Sequence, residues 1–207
     1  MVMRYERPRD RALRSRLVQS LGALLIVAVC LGGSVPRARA SVVAEGVDLA
    51  GKPVDPLHGE PGKAVVLVFV RTDCPISNRY APTIQRLSAE YASKVTFWLI
   101  YPDRTESVIA IQKHLQAYGY KLPALRDPQH SLVKLADAQV TPEVALFDGA
   151  GKLLYHGRID NWYQDFGHAR SAPTTHELNN AIQAVIKGKT PEVASASGVG
   201  CYISDLE

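Results

Sequence analysis

Ala64-Val-Val-Leu-Val-Phe-Val70-Arg-Thr-Asp-Cys74-Pro75-Ile-Ser77-Asn-Arg-Tyr80-Ala-Pro82 is the stretch on which the fold turns. The seven apolar residues from Ala64 to Val70, rich in β-branched valine, describe a central strand buried on both faces. Three polar residues end it. After Cys74 and Pro75 the spacing becomes helical: Tyr80, Ile84, Leu87 and Tyr91 step by four, three and four along one face. Cys74 therefore sits where a buried strand hands over to a helix N-terminus. There the unpaired N–H groups and the helix dipole favour a thiolate over a thiol. A lone cysteine is more often a small buried core residue, but the polar flanks of Cys74 argue for a reactive one.

Outward from that junction, the first forty residues read as a leader. Six arginines between Arg4 and Arg16 precede an apolar run from Leu21 to Leu31, and Ala38-Arg39-Ala40 closes the segment. This is the pattern of a secretory signal peptide cut after Ala40. The rival is an uncleaved anchor, for which the apolar run is short. Lipidation at Cys30 is disfavoured by the bulky Val29 before it. The leader holds eight of the 24 basic and two of the 20 acidic residues. The remaining 167 residues carry 16 basic and 18 acidic side chains, so the basic character of the full chain comes from the leader. No argument for binding nucleic acid or an anionic membrane survives its removal. The expected organisation is a signal peptide over 1–40, one domain over 41–188 and a C-terminal tail over 189–207. Localisation would be periplasmic or secreted, with no stable membrane span after cleavage.

The domain reads in order as an N-terminal hairpin over Ser41 to Leu57, the Ala64–Val70 strand and its helix, and a second buried strand from Val95 to Tyr101. Pro82 predicts a kink in the first helix. Asp103-x-x-Glu106 resembles the capping box of a second helix, with Val108, Ile111, Leu115 and Tyr118 as its stripe. Leu122 to Gln129 reads as loop, and Ser131 to Ala138 as a turn or two of helix. Glu143–Asp148 and Lys152–Arg158 form a hairpin around Gly149-Ala150-Gly151, followed by polar, aromatic loop from Asp160 to Pro173. Thr174-x-x-Glu177 resembles a capping box for a last helix with Leu178, Ile182, Val185 and Ile186 inward. The fold class is α/β: a central mixed sheet flanked by helices, its first two strands parallel.

A strand ending at a Cys-Pro helix start, a later Thr141-Pro142 before a strand, and a closing β-β-α together resemble the thioredoxin-like fold. The resemblance is to its redoxin branch, which includes the alkyl hydroperoxide reductase and thiol-specific antioxidant proteins, and it covers about Val47 to Gly188. It implies that Pro142 is a cis-proline beside Cys74, and that Thr141 and Pro142 shape a site for an extended substrate. It implies thiol-based redox chemistry without a cofactor, served by an external electron donor or acceptor. The partner would be a thiol- or disulfide-bearing protein, or a small peroxide.

Two departures matter. Ser77 stands where a dithiol motif has its second cysteine, so Cys74 would act as a single nucleophile and Cys201 would be the internal resolving candidate. A purely structural Cys74–Cys201 disulfide is the alternative. The peroxidase motif places a hydroxyl three residues before the cysteine; Thr72 lies two before, and Arg71 takes the other position. A copper chaperone of the Sco type shares the fold and is the second functional class. Its thiolate pair is not spelled out here, so Cys74, Cys201 and His156 would be the ligands.

Overall fold

A computed structural model describes residues 44–204. The signal-peptide reading of residues 1–40 lies outside the described residues. Strands β1 (Gly46–Asp48) and β2 (Pro53–Val54) form the opening hairpin. Then follow β3 (Ala64–Phe69), α1 (Pro75–Tyr91), β4 (Val95–Tyr101) and α2 (Val108–Ala117). The chain continues through β5 (Ala124–Arg126), α3 (Ser131–Ala136), β6 (Val140–Thr141), β7 (Glu143–Phe147) and β8 (Leu153–Gly157). It ends with β9 (Tyr163–Asp165), β10 (His168–Ala169), α4 (Glu177–Ile186), β11 (Ser195–Ala196) and β12 (Cys201–Tyr202).

One mixed sheet organises these elements, in the order β11-β8-β7-β3-β4-β5-β1-β2. β3 lies at its centre, parallel to β4 and antiparallel to β7. Its alternation explains the double burial. Val66, Val68 and Val70 join the core cluster built with Ile84, Leu87 and Ile182. Val65, Leu67 and Phe69 join the other cluster, with Leu132, Val133 and Ala136 of α3. A strand with both faces covered has no polar side to show, which is why it reads as an unbroken apolar run.

Helix α1 buries Tyr80, Ile84, Leu87 and Tyr91, the stripe read from spacing. Each aliphatic member is worth about 1.5–3 kcal/mol of removed apolar surface. α1 continues through Pro82, whose ring is exposed. The proline removes one amide donor without ending the helix.

Several expectations need correction. Leu122–Gln129 is not all loop: β5 pairs parallel with β4 and antiparallel with β1. Only Ala124-Leu125-Arg126 separate its bounding turns, too few residues for periodicity to show. Asp160–Pro173 contains the β9–β10 hairpin. The tail is not all outside the sheet: β11 pairs parallel with β8. α2 is capped by Ser107 through Ala110 N–H at 3.1 Å, not by Asp103. In its stripe His114 is buried while Tyr118 is exposed. On α4 the inward residues are Leu178, Ala181 and Ile182, and Ile186 is exposed. Glu177 does not close a capping box: it accepts from Arg158 Nε at 3.0 Å and from Thr175 Oγ1 at 2.6 Å.

Candidate active site

The centre of the site is the N-cap of α1. Cys74 has extended backbone angles, Pro75 follows at the first helical position, and Ser77 N–H donates to Cys74 Sγ at 3.5 Å. Proline suits that place because its missing N–H would have no partner there. Cys74 is fully buried.

The Thr141–Pro142 peptide bond is cis, the isomer the resemblance implies. The Thr141 carbonyl lies 3.1 Å from Cys74 Sγ and accepts its thiol proton. The tail then returns across the molecule. β12 pairs antiparallel with β6, Cys201 opposite Thr141 and Tyr202 opposite Val140. Cys201 Sγ comes to 2.7 Å from Cys74 Sγ, across 127 residues of chain. Both are free thiols, and Cys201 is half-buried where Cys74 is covered. Thr141, Pro142, Ser77, Cys74 and Cys201 therefore stand together.

Two glycines make the return path possible. A Cβ on Gly200 would lie 2.0 Å from Thr141 O. At Gly157, φ is +124° and a Cβ would lie 1.9 Å from Ala196 O, so β11 can close on β8 only where that side chain is absent. Glu143 fastens the turn. It accepts from Gln139 N–H at 2.6 Å, from Val140 N–H at 3.3 Å and, through its other oxygen, from Gly198 N–H at 3.2 Å.

The two thiols differ electrically. Burial opposes ionisation of Cys74, but the Cys201 thiol and the Ser77 N–H outweigh it and hold its pKa below the ordinary thiol value. The Ser77 hydroxyl acts in the same direction. It is buried without a well-aligned partner, so the N–H is the stronger of the two contacts. For Cys201, burial and then the adjacent Cys74 sulfur push the pKa up to about 12. Cys74 is thus the more acidic of the two thiols, and Cys201 keeps its proton and directs it at the Cys74 sulfur.

A polar frame supports the loop before Cys74. Thr72 N–H donates to Glu106 Oε1 at 2.6 Å, and the Thr72 carbonyl accepts from Asn78 Nδ2 at 3.1 Å. Asn78 Oδ1 meets His114 Nε2 at 2.7 Å, and His114 Nδ1 meets the Tyr101 hydroxyl at 2.8 Å. The Thr72 hydroxyl is likewise drawn to Glu106. Arg71 bridges Asp73 and Asp103, both at 3.1 Å. Its charge, and that of Asp73, act on Cys201.

Sequence spacing did not single out Glu106, His114 or Glu143 as parts of the site. Glu106 was visible only as an apparent capping residue, and His114 lay one position off the expected stripe. Asp160 and Asn161 are buried rather than at the surface. Asp160 accepts from the Tyr80 hydroxyl at 2.6 Å and from Trp162 N–H at 2.9 Å. Arg79 covers the Trp162 ring at 5.3 Å and donates to the Tyr163 hydroxyl at 3.1 Å. Tyr163 shares a crevice with Pro142 and Val199.

His156 does not complete a metal site. It lies on β8 opposite Ser195 and lines a shallow depression with Glu143 and Tyr202. Among the described residues no three His, Cys, Asp or Glu side chains gather as metal ligands. The Sco-type ligand set Cys74, Cys201 and His156 is thus not assembled. Among the described residues no helix is long and apolar enough to cross a membrane.

The Redoxin family model matches residues 32–165, a range that contains Cys74 and Pro142 and stops short of Cys201. No curated protein sequence matches the chain. Among solved structures, an uncharacterized conserved protein from Geobacillus kaustophilus superposes with a TM-score of 0.67 at 23% identity, over 77% of this chain and 86% of that one. A hypothetical protein from Sinorhizobium meliloti gives 0.63 at 23%, over 77% and 88%. The exposed lipoprotein thioredoxin of Streptococcus pneumoniae gives 0.51 at 21%, over 69% and 97%. At these identities the likeness is one of fold.

Proposed function

The chain belongs to the Redoxin family, and on that premise we propose that it is an exported thiol–disulfide oxidoreductase whose working pair is Cys74 and Cys201. The observation that carries the reading is the 2.7 Å approach of the two sulfurs at a helix N-terminus. In the reduced protein the Cys74 thiolate attacks a disulfide of the client. A Cys74–client bond forms, and the client's other sulfur leaves as thiolate. Cys201 then gives up its proton and attacks Cys74 Sγ, forming the Cys74–Cys201 disulfide and expelling the second client thiolate. Two electrons have passed to the client, and an external dithiol returns them to the protein. Run backwards, the same steps oxidise a client dithiol. The buried Ser77 N–H stabilises Cys74 each time it leaves or waits as an anion.

Peroxide chemistry has less support, because the Thr72 hydroxyl is drawn to Glu106 rather than to the sulfur. Export rests on the pattern of residues 1–40; protein recovered from the exported fraction should begin at Ser41. The redox reading is tested by equilibration in glutathione buffers of graded potential, acid quenching, alkylation and mass spectrometry. Cys74 and Cys201 should disappear as thiols together in one two-electron transition. Loss of client turnover in both Cys74→Ser and Cys201→Ser is expected. Cysteines that titrate independently, or never pair, would overturn it.

A further inference from the structure

The strand β6 is only Val140 and Thr141, and among the described residues β12 is the strand it pairs with. The pairing is completed by Ile203 N–H donating to Gln139 O at 2.9 Å and by the Thr141 hydroxyl donating to Cys201 O at 3.3 Å. If β12 lifts away, β6 becomes an unpaired edge, ready to template another extended chain. β12 also hides the nucleophile, since Cys74 has no exposed surface and Cys201 occupies the direction of approach. A client sulfur cannot reach Cys74 with β12 in place.

Resting on the oxidoreductase reading above and on the extended-substrate site that the resemblance implies at Thr141–Pro142, we propose that the Val140–Thr141 edge selects a client segment with glycine immediately before its cysteine, and that Gly198–Ile203 is the resident competitor for it. The chemistry of the occupant is written in the tail. Gly198-Val-Gly-Cys-Tyr-Ile203 carries no charge. The residue facing Thr141 O at Gly200 has no room for a Cβ, which would lie 2.0 Å from that oxygen and 2.6 Å from its carbon. Both neighbours are backbone, beside a fully buried Thr141, and cannot swing aside. The next side chain outward, Tyr202, is 81% exposed, so the site places little demand on that position. Ile203 is buried and anchors the far end. A client segment paired in the tail's register meets the same three conditions. In the oxidised protein the Cys74–Cys201 bond ties the competitor down; in the reduced protein only the β6–β12 pairing and the Ile203 anchor hold it, so a client can displace it from the edge.

The test uses the full-length reduced protein and an octapeptide copying Ser197–Ser204, its cysteine activated as a mixed disulfide with nitrothiobenzoate. Attack by the Cys74 thiolate on the peptide sulfur forms the Cys74–peptide disulfide and releases coloured nitrothiobenzoate anion, so the colour reports the rate. A second peptide carries alanine in place of the glycine before cysteine. The glycine peptide should react at least tenfold faster than the alanine peptide. Gly200→Val, which expels the tail, should speed the glycine peptide about tenfold and keep the preference. Ile203→Asp, which removes the buried anchor by another route, should show the same gain. Equal rates for the two peptides, or no gain in either variant, would overturn the proposal. If the small disulfide of nitrothiobenzoate with itself still reacts at Cys74, the oxidoreductase reading survives that failure; if it too is inert, both fall.

Discussion

Oxidising the cysteine pair should raise the stability of the fold substantially, and the size of the effect follows from the chain path. The cross-link would span 127 residues. On the chain-entropy model, closing a loop of that length removes enough freedom from the unfolded chain to be worth about 5 kcal/mol. Little is lost on the native side, because Cys201 is already held beside Cys74 by β12, Glu143 and Ile203. For a domain of this size, stability falls with urea by about 2 kcal/mol per molar. The oxidised protein should therefore unfold at a urea midpoint about 2–2.5 M above the reduced one, followed by circular dichroism. Cys201→Ser should unfold at one midpoint with or without reductant. A difference below about 0.5 M would refute the reasoning, since it would mean that the reduced tail is not docked and that oxidation merely fastens a loose end.

Two further outcomes are expected. Burial raises the pKa of Glu106 above its unfolded value, against the hydrogen bonds from Thr72. Its contribution to stability is thus present below about pH 4.3 and lost as pH rises through the folded value. Glu106→Gln should make the slope of stability between pH 4 and 7 more positive than in the wild type, as read from urea midpoints; parallel profiles would show that Glu106 is solvated. Tyr80→Phe removes a 2.6 Å bond to a buried carboxylate, leaving Asp160 with the Trp162 N–H. It should cost about 1.5–3 kcal/mol, and an unchanged thermal midpoint would contradict the burial of that pair.

How far the sequence carries depends on what each part of the molecule is made of. β3 and the α1 stripe were legible because apolar burial leaves a periodic trace. The thiol at the helix start and the Thr141–Pro142 loop were legible as motifs. β5, β6, β11 and β12 were not, since two or three residues cannot display a period. Their pairing is set by partners distant in the sequence, as Thr141 with Cys201 and His156 with Ser195 illustrate. Glu106 was misread and His114 passed over for a different reason: a local pattern suggested a cap for the first, the second lay off the expected stripe, and tertiary hydrogen bonds claimed both side chains. Cys201 could be named as a candidate partner, but its arrival depends on close backbone approaches at Gly157 and Gly200 that no spacing rule encodes.

The antiparallel pairing of β12 with β6 also bears on how the protein is made. Nearly two-thirds of the chain separates the two cysteines, and synthesis runs from the N-terminus. The sheet core around β3 can form while residue 201 is still unmade. During that interval Cys74 is a thiol at a finished helix end with nothing above it. A mixed disulfide formed then with a passing disulfide would persist until Cys201 arrives, so on the proposed mechanism the tail would also clear the new protein of such adducts.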